Sequence, residues 1–289
     1  MTPPKHSTPA TVDSANGPSP GLGGPAASDR ILERWSDGFA YSSGLAASVG
    51  GALTLVASRV FDAPDETRWV SLVATGTFII YNLDRLRDLE RDRGTSPHRT
   101  AFVSRNQNWL YASVVVAASV FTALLWTTPP RTILLCLAVG LVGLFHRRLK
   151  KRPALKTFYV SVSWVGACVG LPWLASQQDR VGPWVVGVLL ASLAANLIAS
   201  NLRDDEVLEV MRVNDDRRRV LWAARSLILS AIAIALLGPG ESLALVWIPI
   251  CEGVALIRFR PTERYGHLAV DGGLLIGAIA AAIHLAVYG

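Results

Sequence analysis

The sequence contains few charged residues. Only 17% of its 289 residues are Asp, Glu, Lys or Arg, 51% are hydrophobic, and the mean hydropathy is +0.35. Soluble globular domains carry about 25% charged residues. The shortage of charge therefore excludes an ordinary soluble domain and is typical of a polytopic membrane protein.

Cysteine is also scarce, which limits the kinds of site that the chain can build. The three cysteines, Cys136, Cys168 and Cys251, all fall inside apolar segments at unrelated spacings. This pattern favours small buried side chains over disulfides or a metal site made of thiolates.

The first residues lack any apolar run. Residues 1–28 are rich in Pro, Ser, Thr and Gly, which predicts a disordered tail, taken as residues 1–34. Because the tail has no apolar middle, we expect no cleavable signal peptide. The formal net charge of +6 does not indicate a nucleic-acid partner, since the sequence shows no helix-turn-helix, zinc-finger or aromatic stacking pattern.

Long apolar runs fill the rest of the chain, residues 35–289. A bilayer core requires about 20 apolar residues per helix. The runs predict an all-α polytopic membrane protein with nine transmembrane helices around a central cavity. The predicted spans are 38–60, 68–83, 109–127, 131–149, 157–176, 182–200, 220–238, 241–258 and 267–288.

The distribution of positive charge predicts the orientation in the membrane. Most of the 28 Lys and Arg residues lie in the connections after predicted helices two, four, six and eight, whereas the other connections hold only Arg59, Arg68, Arg131 and Arg180. Cytoplasmic loops carry the excess of Lys and Arg. The N-terminus is therefore predicted in the cytoplasm and the C-terminus outside.

Two of the predicted cytoplasmic helix ends carry regularly spaced acids, and residues four apart share one face of a helix. The spaced residues are Asp84, Asp88 and Asp92 within YNLDRLRDLERDR, and Asn201, Asp205 and Glu209 within NLRDDEVLE. One explanation is a solvated helix with ion pairs worth about 0.3–0.5 kcal/mol each. The matched spacing and topology of the two stretches favour a joint site instead.

Facing carboxylates need a counter-charge to approach each other. Mg²⁺ takes oxygen ligands and commonly binds through one or two carboxylates plus substrate phosphate oxygens. Two acidic faces over a cavity therefore predict Mg²⁺ ions and a diphosphate, with neighbouring Arg and Lys completing the neutralisation. The predicted metal ligands are Asp84, Asp88, Asp92, Asp205 and Glu209.

This arrangement resembles the UbiA superfamily of intramembrane prenyltransferases, which have Asp-rich motifs in the cytoplasmic loops after helices two and six of nine. Two further stretches carry the resemblance: LFHRRLKKRPALKTFYVSVSW is similar to the family's basic loop between helices four and five, and LASLAANLIASNLRDDE to its sixth helix. The resemblance covers about residues 35–289.

The resemblance implies roles for individual residues. Asp84 stands where Asn is usual, Asp88 and Asp92 match the first motif, Asn201 and Asp205 match the second, and Glu209 stands where Asp is commoner. These six are the implied catalytic residues, and Lys156, Arg99 and Arg105 are the implied diphosphate contacts. A frame that starts at Asn82 would place Leu86 and Glu90 at the metal positions. We therefore adopt the Asp84 frame and keep Asn82 among the residues expected to line the diphosphate site.

The implied activity is Mg²⁺-dependent transfer of a prenyl group from an allylic isoprenyl diphosphate to an aromatic or other lipophilic acceptor. The expected partners are these substrates and membrane lipid, and the expected location is the bacterial cytoplasmic membrane with the active site on the cytoplasmic side. A terpene cyclase of the same fold and a non-catalytic membrane protein are the alternatives. Arg225, Glu252 and Asp271 lie within spans, where they face the cavity or form internal ion pairs.

Overall fold

The computed structural model describes residues 38–94, 96–149, 153–176, 180–203 and 214–289. All regular secondary structure in these ranges is helical. This agrees with the all-α fold predicted from the composition.

The first two long helices are α1, Gly44–Val60, and α2, Glu66–Arg87. They pack closely because α1 presents glycine to α2: a Cβ atom at Gly51 would lie 3.4 Å from Val70 Cγ1. Small residues allow helix backbones to approach each other in this way. The short connection bends through Asp62 and Asp65, which adopt positive φ angles of 49° and 58°, a conformation that Asp tolerates better than most residues.

The acidic stretch after α2 is not one continuous helix. Helix α2 ends before Asp88, whose φ and ψ are −99° and 12°, and the short helix α3 follows at Leu89–Asp92. Helix α4 then runs from Pro97 to Arg105, and proline is well suited to a first helical turn because it has no N–H to leave unsatisfied. Asp84, Asp88 and Asp92 were predicted to share one face of a continuous helix, and this helix is interrupted at Asp88.

The remaining helices account for most of the apolar sequence. They are α5 Gln107–Trp126, α6 Pro130–Leu149, α7 Pro153–Cys168, α8 Gly170–Ala175, α9 Gly182–Arg203, α10 Asn214–Leu237, α11 Trp247–Ile257, α12 Glu263–Tyr265 and α13 Gly272–Tyr288. A 3₁₀ segment, Gly240–Val246, leads into α11, and a π-helical segment, Gly266–Asp271, leads into α13.

Six helical stretches in the described ranges are long and apolar enough to cross a membrane. They are Gln107–Trp126, Leu155–Ala175, Gly182–Leu202, Arg217–Leu237, Gly240–Ile257 and Gly266–Tyr288. Two others, Gly44–Val60 and Pro130–Gly143, are apolar but shorter. Helix α2 is long enough, but Asn82, Asp84 and Arg85 make its last turns polar. The nine-span arrangement and its orientation remain predictions.

Helix α13 packs tightly against α11. A Cβ atom at Gly277 would lie 2.6 Å from Ile248 Cα, and one at Gly273 would lie 3.2 Å from Glu252 Cα. The two glycines therefore let the backbones touch. On its other side α13 is joined to α1, because Arg59 Nη1 donates a hydrogen bond of 2.9 Å to the Ala282 carbonyl.

Candidate active site

A cavity of about 270 Å³ lies where α2, α7, α9 and the π-helical segment meet. One part of its wall is charged, and most of the rest is apolar or aromatic. The polar and charged residues that line it are Thr77, Tyr81, Asp84, Arg85, Asp92, Arg99, Lys156, Tyr159, Ser163, Asn196, Ser200, Asn201, His267 and Asp271.

The first acidic motif contributes two of its three aspartates to this wall. Asp84 and Asp92 line the cavity, whereas Asp88 is 4% exposed and is not among the lining residues. The backbone changes at this residue: α2 ends before Asp88, whose side chain is buried. Helical hydrogen bonds still bridge the change, from Asp88 N–H to Asp84 O at 2.9 Å and from Asp92 N–H to Asp88 O at 3.0 Å.

The basic residues that the sequence assigns to diphosphate binding separate into two groups. Arg99 Nη2 lies 2.9 Å from Asp92 Oδ2, and both Arg99 and Lys156 line the cavity. Arg105, at the end of α4, is exposed and is not among the lining residues. Only the first two are therefore placed to contact a ligand held in the cavity.

The second motif begins at the same cavity. Asn201 lines the cavity, and its Nδ2 donates a hydrogen bond of 3.1 Å to Thr157 Oγ1, on the residue after Lys156. Asp205 and Glu209, predicted as metal ligands, lie outside the described residues. The described chain thus brings the first motif, the basic loop and the start of the second motif to one cavity.

Asn82, predicted to line the diphosphate site, is fully buried and is not among the residues that line the cavity. Its Nδ2 donates to the carbonyls of Ser42 and Phe78 at 3.0 and 2.9 Å. Arg85 Nη1 likewise donates to the carbonyls of Ala40 and Tyr41. Both side chains therefore connect the polar end of α2 to the segment before α1 through hydrogen bonds.

Sequence reasoning missed part of the polar wall. Asn196 on α9 and His267 in the π-helical segment line the cavity together with Asp271, and Asp271 contacts both. Asp271 was expected either at the cavity or in an ion pair, and it lies at the cavity. The available signal was a set of isolated polar residues inside apolar spans, which are costly to bury in lipid.

The other polar residues within predicted spans lie elsewhere. Arg225 donates to the carbonyls of Leu256 and Ile257 at the end of α11. Glu252 is fully buried on α11 and is not among the lining residues. Arg225 therefore caps a neighbouring helix, an interaction that helix termini favour for donors.

An aromatic pair, Tyr81 and Trp164, forms part of the cavity wall. Trp164 Nε1 donates a hydrogen bond of 3.2 Å to Tyr81 Oη, and the two rings meet edge to face with centroids 6.0 Å apart. Such pairs hold their geometry well, and aromatic faces attract a nearby cation. This wall therefore suits a reaction in which positive charge develops on carbon.

An apolar groove of about 400 Å³ adjoins the cavity between α2, α5 and α6. The groove and the cavity share seven lining residues: Val73, Thr77, Ile80, Asp84, Val139, Gly143 and Ala167. A Cβ atom at Gly143 would lie 3.2 Å from Ile80 Cδ1, so the glycine sets the width of the passage. A ligand with a charged end and a long apolar end fits the two spaces together.

The fit of Mg²⁺ depends on the donors that face the cavity. In the described ranges no three His, Cys, Asp or Glu side chains come close enough to hold a metal ion by themselves. Asp84 and Asp92 nevertheless offer two carboxylates to one cavity, which suits the mode in which Mg²⁺ takes one or two carboxylates and completes its shell with phosphate oxygens and water.

Comparison with known proteins identifies the fold. No family model matches the sequence, and no curated protein matches it. The solved structure of a digeranylgeranylglyceryl phosphate synthase in membranes is similar, with a TM-score of 0.50, 15% identity, and coverage of 88% of this chain and 99% of that one. That synthase is a UbiA-family intramembrane prenyltransferase. The chain therefore has the fold of that synthase, in agreement with the family resemblance of its motifs. Its apolar helices support an integral membrane protein.

Proposed function

We propose that the protein transfers a prenyl group from an allylic isoprenyl diphosphate to a lipophilic acceptor within the membrane. The observation that carries this proposal is the shared cavity, in which Asp84, Asp92, Arg99, Lys156 and Asn201 surround one space that continues into an apolar groove. The similarity of the fold to a synthase of an isoprenoid lipid supports it.

The charged end of the cavity is the proposed diphosphate site. Arg99 and Lys156 supply the positive charge that a diphosphate needs, and Arg suits bidentate contacts with phosphate oxygens. Asn201, which hydrogen-bonds to Thr157 beside Lys156, is a further polar contact for the diphosphate. Mg²⁺ would be held by Asp84 and Asp92 together with the diphosphate, where it would neutralise charge on the leaving group.

The apolar groove is the proposed site of the isoprenoid chain. Its walls are aliphatic and aromatic side chains of α2, α5 and α6, and Asp84 stands at the passage to the charged end. An isoprenoid chain in this groove would place its first carbon beside Tyr81 and Trp164, next to the diphosphate.

The proposed reaction begins with cleavage of the bond between the first carbon and the diphosphate oxygen. The electron pair remains on pyrophosphate, whose developing charge Arg99 and Lys156 stabilise by electrostatic preorganisation. The Tyr81 and Trp164 rings flank the allylic cation and exclude water from it. The acceptor then forms a bond to the cation.

The proposed setting is nine transmembrane helices with the N-terminus in the cytoplasm and the C-terminus outside. The charged end of the cavity then faces the cytoplasm, in a bacterial inner membrane, because the basic residues follow predicted helices two, four, six and eight. Asp205 and Glu209 would complete the metal site from the second motif.

Pyrophosphate release tests the proposal against its alternatives. The purified protein is incubated in detergent with Mg²⁺ and geranyl, farnesyl or geranylgeranyl diphosphate, with and without phenols and lipid alcohols. Release that requires an acceptor indicates a transferase, and release without one, accompanied by a cyclic hydrocarbon, indicates a cyclase. No release with any chain length contradicts catalysis and leaves a non-catalytic membrane protein of the same fold.

A further inference from the structure

The cavity extends well beyond the diphosphate site proposed at its charged end. Helix α7 contributes lining residues mainly at three- and four-residue spacing, which places them on one face of the helix. They include Lys156, Tyr159, Ser163, Trp164 and Ala167. At about 1.5 Å per residue, the wall from Lys156 to Ala167 is about 16 Å long. Lys156 is the only charged residue among these five, so the charge lies at one end of this length.

The other end of the cavity is closed by packed side chains. Cys168, the next residue after Ala167, is fully buried, and its thiol donates a weak hydrogen bond of 3.7 Å to the Gly50 carbonyl on α1. A Cβ atom at Gly50 would lie 3.1 Å from Thr77 Oγ1 and 3.2 Å from Val73 Cγ1. Helices α1, α2 and α7 therefore meet tightly here and end the cavity.

The groove runs beside the cavity instead of continuing it end to end. On α2 both spaces are lined by Thr77, Ile80 and Asp84, and on α6 both are lined by Val139 and Gly143. The stretch from Thr77 to Asp84 alone is about 10 Å long, at about 1.5 Å per residue. Two spaces that lie side by side over this length offer room for two chains.

The part of the cavity along α7 below Lys156 suits an aliphatic chain. Its wall between Tyr159 and Ala167 is about 12 Å long, and apolar side chains of α1 and α6, such as Ala46 and Val142, complete it. Carbon–carbon bonds of about 1.5 Å give an extended chain an advance of about 1.3 Å per bond, so about nine carbons fit this length. A chain fills the space with van der Waals contacts, which a small aromatic molecule would leave partly unmade.

We propose that this uncharged part of the cavity is a second lipid subsite, and that it holds an aliphatic chain of the acceptor beside the prenyl chain in the groove. The inference rests on the proposed function. It makes the acceptor a single-chain lipid, and it excludes a small phenol without a chain. The reactive end of the acceptor then lies level with Tyr81 and Trp164, where the first carbon of the prenyl group is proposed to lie.

Simultaneous binding of two lipids tests the subsite without any need for turnover. The full chain is purified with Mg²⁺ in digitonin, whose rigid ring system does not imitate an alkyl chain. The ligands are radiolabelled 1-O-decylglycerol and geranylgeranyl thiolodiphosphate, which does not ionise readily. Each Kd is measured alone and with the other ligand at saturation. The butyl and hexadecyl ethers of glycerol are compared with the decyl ether, and each Kd is expressed as a mole fraction of the micelle.

Variants that fill one space at a time separate the two chains. Ser163→Leu adds a side chain to the cavity wall and removes only a hydrogen bond to the Tyr159 carbonyl of the same helix. Ala46→Leu, on α1, fills the same space and serves as a second variant. The matched control is Ala118→Leu, because Ala118 lines the groove and not the cavity.

The expected result for wild type is that both ligands bind together, each with a Kd changed less than about threefold by the other. The decyl ether binds more tightly than the butyl ether, which leaves space unfilled, and than the hexadecyl ether, which meets the closed end at Cys168. Ser163→Leu raises the Kd of decylglycerol by about tenfold, the scale of size discrimination in an apolar pocket. The same variant leaves the Kd of the diphosphate analogue within about twofold. Ala118→Leu has the opposite pattern.

Several results would overturn the inference. Mutual displacement of the two ligands places both chains in one space, and decylglycerol binding that neither Ser163→Leu nor Ala46→Leu weakens places that chain outside the cavity. Wild-type protein that binds the analogue but no alkylglycerol excludes a second lipid subsite. Wild-type protein that binds decylglycerol but no analogue with Mg²⁺ overturns the proposed function and the role of the lipid as acceptor.

Discussion

The charged end of the cavity and the apolar groove beside it share one helix but carry different chemistry. On α2, Thr77, Ile80 and Asp84 follow one another at three- and four-residue spacing and therefore occupy one face. Ile80 borders the groove and Asp84 the charged end, and both reach the passage between them. Under the proposed function, the head group and the isoprenoid chain are recognised by separate side chains, so different substitutions should affect the two separately.

Removal of charge at the charged end is expected to have the largest effect. Asp92→Asn keeps the side-chain volume but removes a carboxylate that faces the cavity and pairs with Arg99 at 2.9 Å. Turnover should fall about 10²–10³-fold, the scale found when one preorganised electrostatic contact is lost. The measurement is kcat from pyrophosphate release, with Glu90→Gln as control, because Glu90 pairs with Arg93 on the exposed face of the same loop. Equal activity of the two variants would contradict the assignment of Asp92.

Lys156→Gln is expected to weaken substrate binding. A hydrogen bond to a charged group contributes about 1.5–3 kcal/mol, so the Kd of geranylgeranyl thiolodiphosphate should rise by about tenfold or more. The comparison variant is Arg105→Gln, since Arg105 lies outside the cavity wall although the family resemblance assigns it to diphosphate. A larger effect at Arg105 than at Lys156 would place the diphosphate elsewhere.

A substitution in the groove is expected to change the preference for the length of the isoprenoid chain without impairing cleavage of the diphosphate. Gly143→Leu adds a side chain against Ile80, because a Cβ atom at Gly143 would already lie 3.2 Å from Ile80 Cδ1. The narrowed passage should lower kcat/KM for geranylgeranyl diphosphate relative to geranyl diphosphate by about tenfold, within the range of 1–3 kcal/mol for hydrophobic size discrimination. Gly140→Leu is the matched variant. Gly140 also lines the groove, but a Cβ atom there would have no neighbouring atom within 4 Å. An equal loss with both substrates would refute the groove as the chain site.

The smallest effect is expected at the aromatic wall. Tyr81→Phe removes the hydroxyl that accepts the Trp164 hydrogen bond but retains the ring. The free energy of unfolding should fall by about 0.5–1.5 kcal/mol, with kcat changed by less than about threefold. Chemical denaturation and steady-state kinetics measure the two quantities, and a large loss of kcat would assign the hydroxyl a role in the reaction.

The sequence predicts the fold and one wall of the site because both depend on local patterns. Apolar run length predicts an all-helical membrane protein, and the spacing of Asp84, Asp92 and Asn201 marks residues that the structure brings to one cavity. The spacing does not reveal the break at Asp88, because helical periodicity assumes a continuous helix. The φ and ψ of Asp88 depart from helical values, and Asp88 is buried and not among the residues that line the cavity.

The part of the cavity wall formed by Asn196, His267 and Asp271 depends on contacts between residues that are distant in sequence. Asn196 and Asp271 are 75 residues apart in sequence, and each is an isolated polar residue in an apolar run. Nothing in either run indicates its partner, since helix packing alone brings them together. The same holds for Asn82, which resembles a motif residue but hydrogen-bonds to the segment before α1.

The most direct test of the shared diphosphate site is a structure of the protein with Mn²⁺ in place of Mg²⁺ and a geranylgeranyl thiolodiphosphate. The account predicts a metal signal about 2.1 Å from carboxylate oxygens of Asp84 or Asp92, the diphosphate between Arg99, Lys156 and Asn201, and the chain in the groove past Gly143. A metal and diphosphate bound outside this cavity, or a chain that leaves the groove empty, would contradict it.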